Sequence, residues 1–424
     1  MTTKVDGTTQ SVSSNGKLPN GWRMVKFGDV VRDVKEAERD PLGAGLDRFI
    51  GLEHIEPKNL HVREWGVLTQ NEVSFTKRFR QGQVLFGKRR AYQRKVALAE
   101  FDGICSSDIL TFEPKDDALI PELLPFIVQS DAFFNHALGT SSGSLSPRTR
   151  WNQLKDFAFP LPPQKVQRRI ADLFWAVDDS IEWYAKSGKD CDRLRRVLLF
   201  DFMSRRRSTA HTQETDVGKI AASWCVSRVS EAGNVQLGRQ RAPKYQTGKH
   251  TKPYLRVANV FDGYFDYSDV LEMDFDERDF ETYRLEPGDV LLNEGQSREL
   301  VGRCAIYNGE IEECCFQNTL VRFRAGQGLL PEFAFFYFQY LFYKGVFASI
   351  ARQTTSIAHL GAERFSKLSM AIPPLREQKR IVNALNAVVN ECRRIEGHIE
   401  SLNDVKRGLM DNVLSGKSKD VGQL

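Results

Sequence analysis

The chain has 424 residues, of which 41% are hydrophobic and 27% charged, and this length is enough for two or three folded domains. Seven cysteines without a CxxC spacing argue against a disulfide framework or a zinc ribbon, and the apolar runs are too short to cross a bilayer. A net charge of +5 identifies no partner by itself. Residues 1–17 are polar and lack the apolar core of a secretory signal, so we expect a disordered tail on a cytoplasmic protein.

The segment that follows, residues 18–160, combines strand and helix signals. Phe49–Leu52 and Gly82–Phe86 are short apolar runs bounded by turn residues, which is typical of strands. A helical stretch is predicted from Pro121 to Ala137. We therefore expect a mixed α+β domain in this part of the chain.

A dense basic cluster lies inside this segment. Eight Lys and Arg residues fall between Lys77 and Lys95 without an acid among them, and a tyrosine is interleaved. Such clusters suit phosphate contact and base-edge reading in nucleic acids, although a solvated surface loop is the alternative. The short polar sequence SPRTR adds two more arginines. The candidate DNA-binding residues of this first half are Lys88, Arg89, Arg90, Tyr92, Arg94, Arg148 and Arg150.

A long amphipathic helix is predicted for residues 161–208. Pro162 and Pro163 suit a helix entry, because proline is tolerated in the first turn. After them, apolar residues recur at spacings of three and four over several heptads, which indicates the seam of a coiled coil. The predicted seam consists of Val166, Ile170, Leu173, Val177, Ile181, Tyr184, Cys191, Leu194, Leu198 and Phe202.

Residues 209–371 repeat the organisation of the first globular segment. The sequence EPGDVLL from Glu286 matches RQGQVLF from Arg80 at an offset of 206 residues. Six basic residues without an acid lie between Leu237 and Val260. Arginine can bond guanine through two donors, and glutamine can do the same for adenine. The candidate DNA-binding residues of this second half are Arg239, Arg241, Lys244, Arg352, Gln353 and Thr354.

The last segment, residues 372–424, matches the first long helix without a gap. Pro373 corresponds to Pro162 at an offset of 211 residues, and the match continues to Ser415. Matching registers favour an antiparallel coiled coil that would separate the two globular segments by a rod of about 60 Å. The alternative is two unrelated amphipathic helices, each packed on its own domain. The second predicted seam consists of Ile381, Leu385, Val388, Cys392, Ile395, Ile399, Leu402, Leu409 and Val413.

Signatures of catalysis are missing from the sequence. It lacks a GxxxxGK[ST] phosphate loop, and LPPQ and IPPL stand where an adenine methyltransferase has [ND]PP[YF]. We therefore expect a non-catalytic protein without a metal site of its own. The alternative is a metal-dependent nuclease in which Asp102, Glu113 and Lys115 form a PD-(D/E)xK-like set, with two acids for Mg²⁺ beside a lysine.

The chain resembles the specificity subunits of type I restriction–modification systems. The resemblance is carried by PLPPQKVQRRI from Pro160 and by IPPLREQKRIV from Ile372, which is close to the family pattern PLPPLxEQxxIV. The first copy departs from this pattern, because Lys165 and Val166 stand where a glutamate is usual before the glutamine. The opening LPNGW at Leu18 and the duplication of the whole unit extend the resemblance over nearly the whole chain.

The resemblance implies an α+β fold with two tandem target-recognition domains, residues 18–160 and 209–371, separated by two conserved helices that act as a spacer. Each domain would read one half of a bipartite double-stranded DNA sequence. The helices would dock two methyltransferase subunits, and restriction subunits would join the complex. S-adenosylmethionine, ATP and Mg²⁺ would belong to those partners, with no cofactor in this chain. A coiled-coil scaffold without a DNA role is the remaining alternative.

The docking surface is expected beside the two proline pairs. A solvated helix face is the alternative role for the same side chains. The candidate partner-binding residues are Arg168, Arg169, Lys379 and Arg380.

Overall fold

The structure is a computed structural model that describes residues 18–69, 75–141, 147–204, 212–242, 247–353 and 356–416. It divides into two compact units, the first made of residues 1–186 and 396–424 and the second of residues 187–395. Each unit therefore combines one globular part with a stretch of both long helices. The sequence segments do not map one to one onto the units, because each long helix contributes to both.

The first unit is a mixed α+β structure. Its strands are β1 (Arg23–Lys26), β2 (Val31–Asp33), β3 (Arg48–Ile50), β4 (Gly66–Val67), β5 (Lys77–Phe79), β6 (Val84–Gly87), β7 (Val96–Leu98), β8 (Gly103–Cys105), β9 (Ile109–Pro114) and β10 (Ala158–Leu161). Its helices are α1 (Phe27–Val30), α2 (Leu124–Gln129), α3 (Asp131–Gly139), α4 (Trp151–Leu154) and part of α5 (Gln164–Ser204). The sheets have the strand orders β2-β9-β6-β7, β4-β3-β8-β5 and β1-β10.

The second unit contains the same kinds of element. Its strands are β11 (Thr212–Thr215), β12 (Gly218–Ala221), β13 (Cys225–Arg228), β14 (Gly233–Leu237), β15 (Thr251–Leu255), β16 (Leu271–Asp274), β17 (Val290–Asn293), β18 (Gly295–Gln296), β19 (Cys304–Ile306), β20 (Cys315–Phe316), β21 (Leu320–Ala325), β22 (Arg352–Gln353), β23 (Ala358–His359) and β24 (Ser369–Ile372). Its helices are α6 (Val229–Ala232), α7 (Glu277–Tyr283), α8 (Pro331–Tyr343), α9 (Val346–Ile350), α10 (Ala362–Ser366) and part of α11 (Leu375–Leu414).

The internal repeat predicted from the sequence is confirmed in the sheets. The second unit has a four-stranded antiparallel sheet in the order β14-β21-β17-β19, which corresponds strand by strand to β2-β9-β6-β7 of the first. A parallel pair follows in both units, β3 with β8 and β15 with β20. The chain is therefore a tandem α+β duplication with long helices after each copy.

Each four-stranded sheet packs its apolar face against helices, and this packing forms the core of its unit. The central strands β6 and β17 are buried along their whole length, as expected for apolar runs in the middle of a sheet. The first core also includes Phe174 of α5 and Met410 of α11, and the second includes Leu199 of α5 and Leu385 of α11. Both long helices are thus part of both cores.

The two long helices pair in antiparallel orientation within each unit, as the matched registers predict. In the first unit the ring of Tyr184 stacks on that of His398, with centroids 5.1 Å apart, while Asp178 contacts Lys406. In the second unit the Cys191 thiol donates to the Val388 carbonyl over 3.7 Å. One predicted seam residue, Leu194, is 50% exposed, because the end of α5 turns its apolar face to the core of the second unit.

A buried glutamine fixes the start of each long helix. Gln167 accepts a hydrogen bond from the amide of Ile120 at 2.9 Å, and its own amide donates to the carbonyls of Ala118 and Pro162, both at 2.8 Å. Gln378 makes the same set of bonds, with the amide of Leu330 at 2.8 Å and the carbonyls of Gly328 and Pro373 at 2.9 Å. The glutamine of the repeated proline motif therefore ties the helix to its own unit.

Candidate nucleic-acid interface

Two basic segments that are about sixty residues apart in the sequence meet in the first unit. Arg89 and Arg148 form an antiparallel bridge. The bridge is flanked by two backbone hydrogen bonds, from Thr149 N to Lys88 O at 3.0 Å and from Arg90 N to Pro147 O at 2.9 Å. We call residues 88–90 and 147–150 the first edge. It brings together five of the seven DNA-binding residues predicted for this half.

The side chains of the first edge differ in exposure and in partners. Arg90 and Arg150 are exposed, and Lys88 is half-buried. Arg89 and Arg148 both face the carboxylate of Asp108, at 3.7 Å and 3.4 Å. The edge as a whole stays strongly cationic, because this one acid faces several basic groups.

The other two predicted residues of the first half lie just beyond this edge. Tyr92 is 55% exposed, so its ring and hydroxyl are accessible. Arg94 instead forms an ion pair with Asp131, donates to the Gln129 carbonyl at 3.3 Å and lies over the ring of Phe134, 4.7 Å from its centroid. These contacts give Arg94 a structural role in holding the loop against α3.

In the second half, the structure separates the basic residues that the sequence groups together. Arg239 is 7% exposed, its guanidinium pairs with Asp279 and donates to the Asp274 carbonyl, and it lies over the ring of Phe275. These contacts hold the Arg239 guanidinium inside its own unit, and the DNA contact of Arg239 stays a prediction. Arg241 is exposed, and Lys244 lies outside the described residues.

The structural counterpart of the first edge lies elsewhere in the second unit. β18 and β22 both pair with β23, which places Gly295 and Arg352 on either side of His359. Glu294 makes two backbone hydrogen bonds, accepting from Leu360 N at 2.8 Å and donating to Thr319 O at 2.9 Å. Lys88 makes the equivalent two bonds, accepting from Thr149 N at 3.0 Å and donating to Asp108 O at 2.9 Å. We call residues 294–298, 352–353 and 358–361 the second edge.

Two predicted residues, Arg352 and Gln353, are exposed on the second edge, and Thr354 lies outside the described residues. Sequence reasoning missed Gln296, Arg298 and His359 on the same edge. The signal was present in the sequence, because the RQGQVLF/EPGDVLL match at an offset of 206 residues places Lys88 opposite Glu294. Charge density pointed instead to the run that begins at Arg239.

The charge of the second edge is mixed. Glu294 accepts a hydrogen bond from the Gly361 amide at 3.3 Å, and its carboxylate lies 3.0 Å from Nδ1 of His359. Arg298 and Arg352 are exposed beside this pair. The two edges therefore occupy equivalent places in the fold but offer different chemistry to a ligand.

The four predicted partner contacts lie in the first turns of the long helices. Arg168, Arg169, Lys379 and Arg380 are all exposed, and Arg380 is 3.6 Å from the carboxylate of Glu377 on the same helix. Glu377 in turn accepts a hydrogen bond from the indole of buried Trp224 at 3.1 Å. The four basic groups are therefore exposed, and one of them, Arg380, lies beside the glutamate that bonds the helix to its unit.

Each side chain of the nuclease alternative is engaged by a different neighbour. Asp102 accepts from the Gln81 amide at 2.9 Å, and Lys115 donates to the Gly28 carbonyl. Glu113 pairs with Arg32 and accepts from Gln83 at 2.7 Å. Against the effect of burial, these hydrogen bonds hold the pKa of Glu113 below its usual value. The three groups are thus held by separate partners.

Metal-binding clusters and membrane-spanning helices are both absent from the described residues. Within the described ranges, no group of three or more His, Cys, Asp or Glu side chains is placed to hold a metal ion. In the part of the chain that the structure describes, none of the helices is both long and apolar enough to cross a membrane.

Comparison with known proteins places the chain among DNA specificity proteins. The model of a family described as type I restriction modification DNA specificity domain matches residues 19–187 and 223–404. A putative type I restriction enzyme specificity subunit, MjaX of Methanocaldococcus jannaschii, is 25% identical over 238 residues, which is 54% of this chain and 55% of that protein. The chain thus aligns with little more than half the length of that relative.

Two further matches extend over nearly the whole chain. The EcoKI specificity subunit of Escherichia coli is 20% identical, and its match covers 95% of this chain and 90% of that protein. A solved structure concerned with complex assembly and conformational transition of the type I R-M system aligns with a TM-score of 0.60 at 21% identity, over 94% of this chain and 98% of that one. At this identity, the structural match shows a shared fold.

Proposed function

The chain belongs to the type I restriction–modification DNA specificity family, and from that membership we propose that it is a non-catalytic subunit that reads a bipartite DNA sequence. Each unit reads one half of the target, and each does so with its own edge. The proposal places the protein in the cytoplasm, where it can reach double-stranded DNA.

The observation that carries this proposal is the pair of equivalent edges. Both follow the same central strand of the duplicated sheet, β6 in the first unit and β17 in the second. Both expose arginine, which binds guanine edges and phosphates, and the second also exposes glutamine, which can bind adenine. A fold that repeats one ligand-facing place with different side chains is suited to reading two different half-sites.

Catalysis belongs to partner subunits in this proposal. Two methyltransferase subunits dock on the long helices, with Arg168, Arg169, Lys379 and Arg380 among their contacts, and restriction subunits complete the complex. S-adenosylmethionine, ATP and Mg²⁺ are bound by those partners. The exposed cations at both helix starts support this assignment, because they are accessible at equivalent positions of the repeat.

The deciding experiment is to purify the full chain with its methyltransferase subunits, incubate the complex with DNA and S-adenosylmethionine, and sequence the modified bases. We expect one bipartite target with two unlike half-sites and a fixed spacer. Modification at a single contiguous sequence would contradict the two-reader proposal, and a complex that binds no DNA at any salt concentration would favour a scaffold.

A second measurement tests the nuclease alternative. The chain alone is incubated with DNA and Mg²⁺, and we expect no cleavage. Cleavage that Glu113→Ala abolishes would show that the chain carries its own active site.

A further inference from the structure

Two cysteines, one on each long helix, meet in the second unit. The thiol of Cys191 on α5 donates to the carbonyl of Val388 on α11 over 3.7 Å. Cys392 lies four residues after Val388, about one helical turn, so it is on the same face of α11. Neither cysteine is part of a disulfide in the structure.

The antiparallel register of α5 and α11 in this unit places the two cysteines opposite each other. A Cβ atom added at Gly188 would lie 3.4 Å from Cγ2 of Ile395, so these two residues are neighbours across the helix pair. In antiparallel helices, a step forward along one helix corresponds to an equal step back along the other. Cys191 is three residues after Gly188, and Cys392 is three residues before Ile395. The two cysteines therefore share one layer of the pair.

Gly188 lets the two backbones approach each other beside this layer. A disulfide requires Cα atoms about 4.4–6.8 Å apart, which helices with large side chains on both sides do not easily reach. A glycine has no side chain to hold the helices apart, and the sulfur of Cys191 already contacts the backbone of α11. The local geometry is thus suited to a covalent link between the helices.

The pair is accessible to small reagents, although Cys392 is a weakly reactive thiol. Both side chains are half-buried, whereas Cys304, Cys314 and Cys315 of the same unit are buried. Burial, together with a hydrogen bond to the Cys191 thiol, raises the pKa of Cys392 to about 12. Because the thiolate is the reactive form, oxidation of the pair should be slow and should need a sustained supply of oxidant.

From this geometry we infer that Cys191 and Cys392 are a redox-sensitive pair that a peroxide closes to a disulfide between the two long helices. The inference goes beyond the proposed function and does not rest on it. The peroxide oxidises one thiol to a sulfenic acid and is itself reduced, in the case of hydrogen peroxide to water. The opposite thiol then forms the S–S bond and displaces a second water, so the pair loses two electrons and both thiol hydrogens.

The disulfide would fix the second unit at its base. It would close a loop that contains the whole second globular segment, residues 209–371. A crosslink stabilises a fold mainly by restricting the unfolded chain, and the effect grows with the length of the closed loop. It would also prevent α5 and α11 from sliding past each other at this layer.

The first unit lacks this device. At the offset of 211 residues, Cys191 corresponds to Leu402 and Cys392 corresponds to Ile181. Both of these residues are aliphatic, so the equivalent layer of the repeat does not need sulfur for its packing. A covalent lock is therefore expected in the second unit alone.

The test treats the full chain with hydrogen peroxide, alkylates the remaining thiols and digests the protein with trypsin. Mass spectrometry should find the peptide Asp190–Arg193 joined to Ile381–Arg393, and dithiothreitol should separate them. On a non-reducing gel the crosslinked chain should run as a monomer. The urea concentration at which the second unit loses its hydrogen-exchange protection should rise by about 1 M or more, while that of the first unit should change little.

Cys225→Ser serves as the matched control, because it removes an exposed thiol of the same unit. This variant should form the crosslink as the original chain does. Cys191→Ser and Cys392→Ser should each abolish the crosslink and the shift in urea concentration. The peptide mapping of the unsubstituted chain decides the inference even where a variant fails to fold.

Three outcomes would overturn the inference. The first is the absence of the Cys191–Cys392 disulfide at a peroxide dose that oxidises exposed Cys225. The second is a disulfide that joins two chains, seen as a dimer on the non-reducing gel. The third is a crosslinked chain whose second unit loses protection at the same urea concentration as the reduced chain.

Discussion

The two units share the same anchor at the start of their long helices but differ in the residues at their edges. Both start a long helix with a buried glutamine, and both end the central strand of the sheet at an edge that faces solvent. The first edge pairs Arg89 with Arg148 over a single acid, whereas the second pairs Gly295 with His359 beside Glu294. The duplicated fold therefore fixes the position of the edge in each unit, and the residues on that edge determine the chemistry that it offers to a ligand.

The anchoring of the long helices differs as well. Lys406 and Arg195 occupy equivalent positions at the offset of 211 residues. Lys406 pairs with Asp178, which also lies 3.1 Å from Nε2 of His61. Arg195 instead donates to the hydroxyl of Tyr343 at 2.8 Å and to Asp192. A histidine thus takes part in the anchor of the first unit, while an arginine and a tyrosine serve in the second.

The largest effect is expected where the units are alike. Gln167→Leu and Gln378→Leu each leave a buried amide and two carbonyls without their partner, which should lower the free energy of unfolding by about 3–5 kcal/mol. Hydrogen exchange measured by mass spectrometry should show that each variant loosens its own unit. Exposed Arg168→Ala is the control and should change little. Unequal effects in the two units would show that the glutamines are not equivalent.

The next largest effect is a pH dependence of stability, which is expected in the first unit and not in the second. The hydrogen bond with Asp178 raises the pKa of His61 to about 9 against the opposing effect of burial, and Glu100 adds to the increase. The pKa of His61 in the folded chain lies above the unfolded value of about 6.5. The stability that protonated His61 contributes is therefore fully present below about pH 6.5 and is lost as the pH rises towards 9. The loss should reach at most about 3 kcal/mol in the first unit.

Urea unfolding followed between pH 6 and pH 9.5 measures this loss, with His61→Gln as the variant that should flatten the pH profile. The second unit should show no comparable step in local hydrogen exchange, since its anchor uses Arg195. An unchanged profile in His61→Gln would show that another group titrates.

A smaller effect concerns the edges. Arg90→Ala and Arg352→Ala remove exposed arginines from the first and the second edge, and a lost base contact should cost about 1–3 kcal/mol at one position. Binding to duplexes altered in one half-site should show losses in different half-sites. Lys219→Ala, on the separate β11–β12 hairpin, is the control. If both arginine variants relax the same half-site, the assignment of one edge to each half-site is wrong.

The smallest effect is expected at the helix starts. Reversal of charge at Arg169 and Arg380 together should weaken the association with methyltransferase subunits severalfold, because such rim charges contribute modestly to affinity. Gel filtration at decreasing concentration measures the loss, and circular dichroism should show an intact fold. A complex that stays whole at the lowest concentration would assign these arginines to a solvated helix face.

The sequence by itself determined the duplication, the α+β class and the two long helices, because repeats and apolar periodicity are local properties of the chain. It also located Arg90 and Arg352, whose side chains are exposed on the edges. Leu194 was predicted to lie in the coiled-coil seam but is exposed. The exposure of a residue on α5 depends on every element that packs against this helix and not on the partner helix alone.

Only the tertiary structure decided which basic side chains are exposed and which are buried. Arg239 and Arg241 are two residues apart and look alike in the sequence, yet one is buried on Phe275 and the other is exposed. The first edge itself exists because strand pairing joins segments about sixty residues apart and sets Asp108 beneath them. Burial and ion pairing are properties of neighbours in space, which charge density along the chain does not encode.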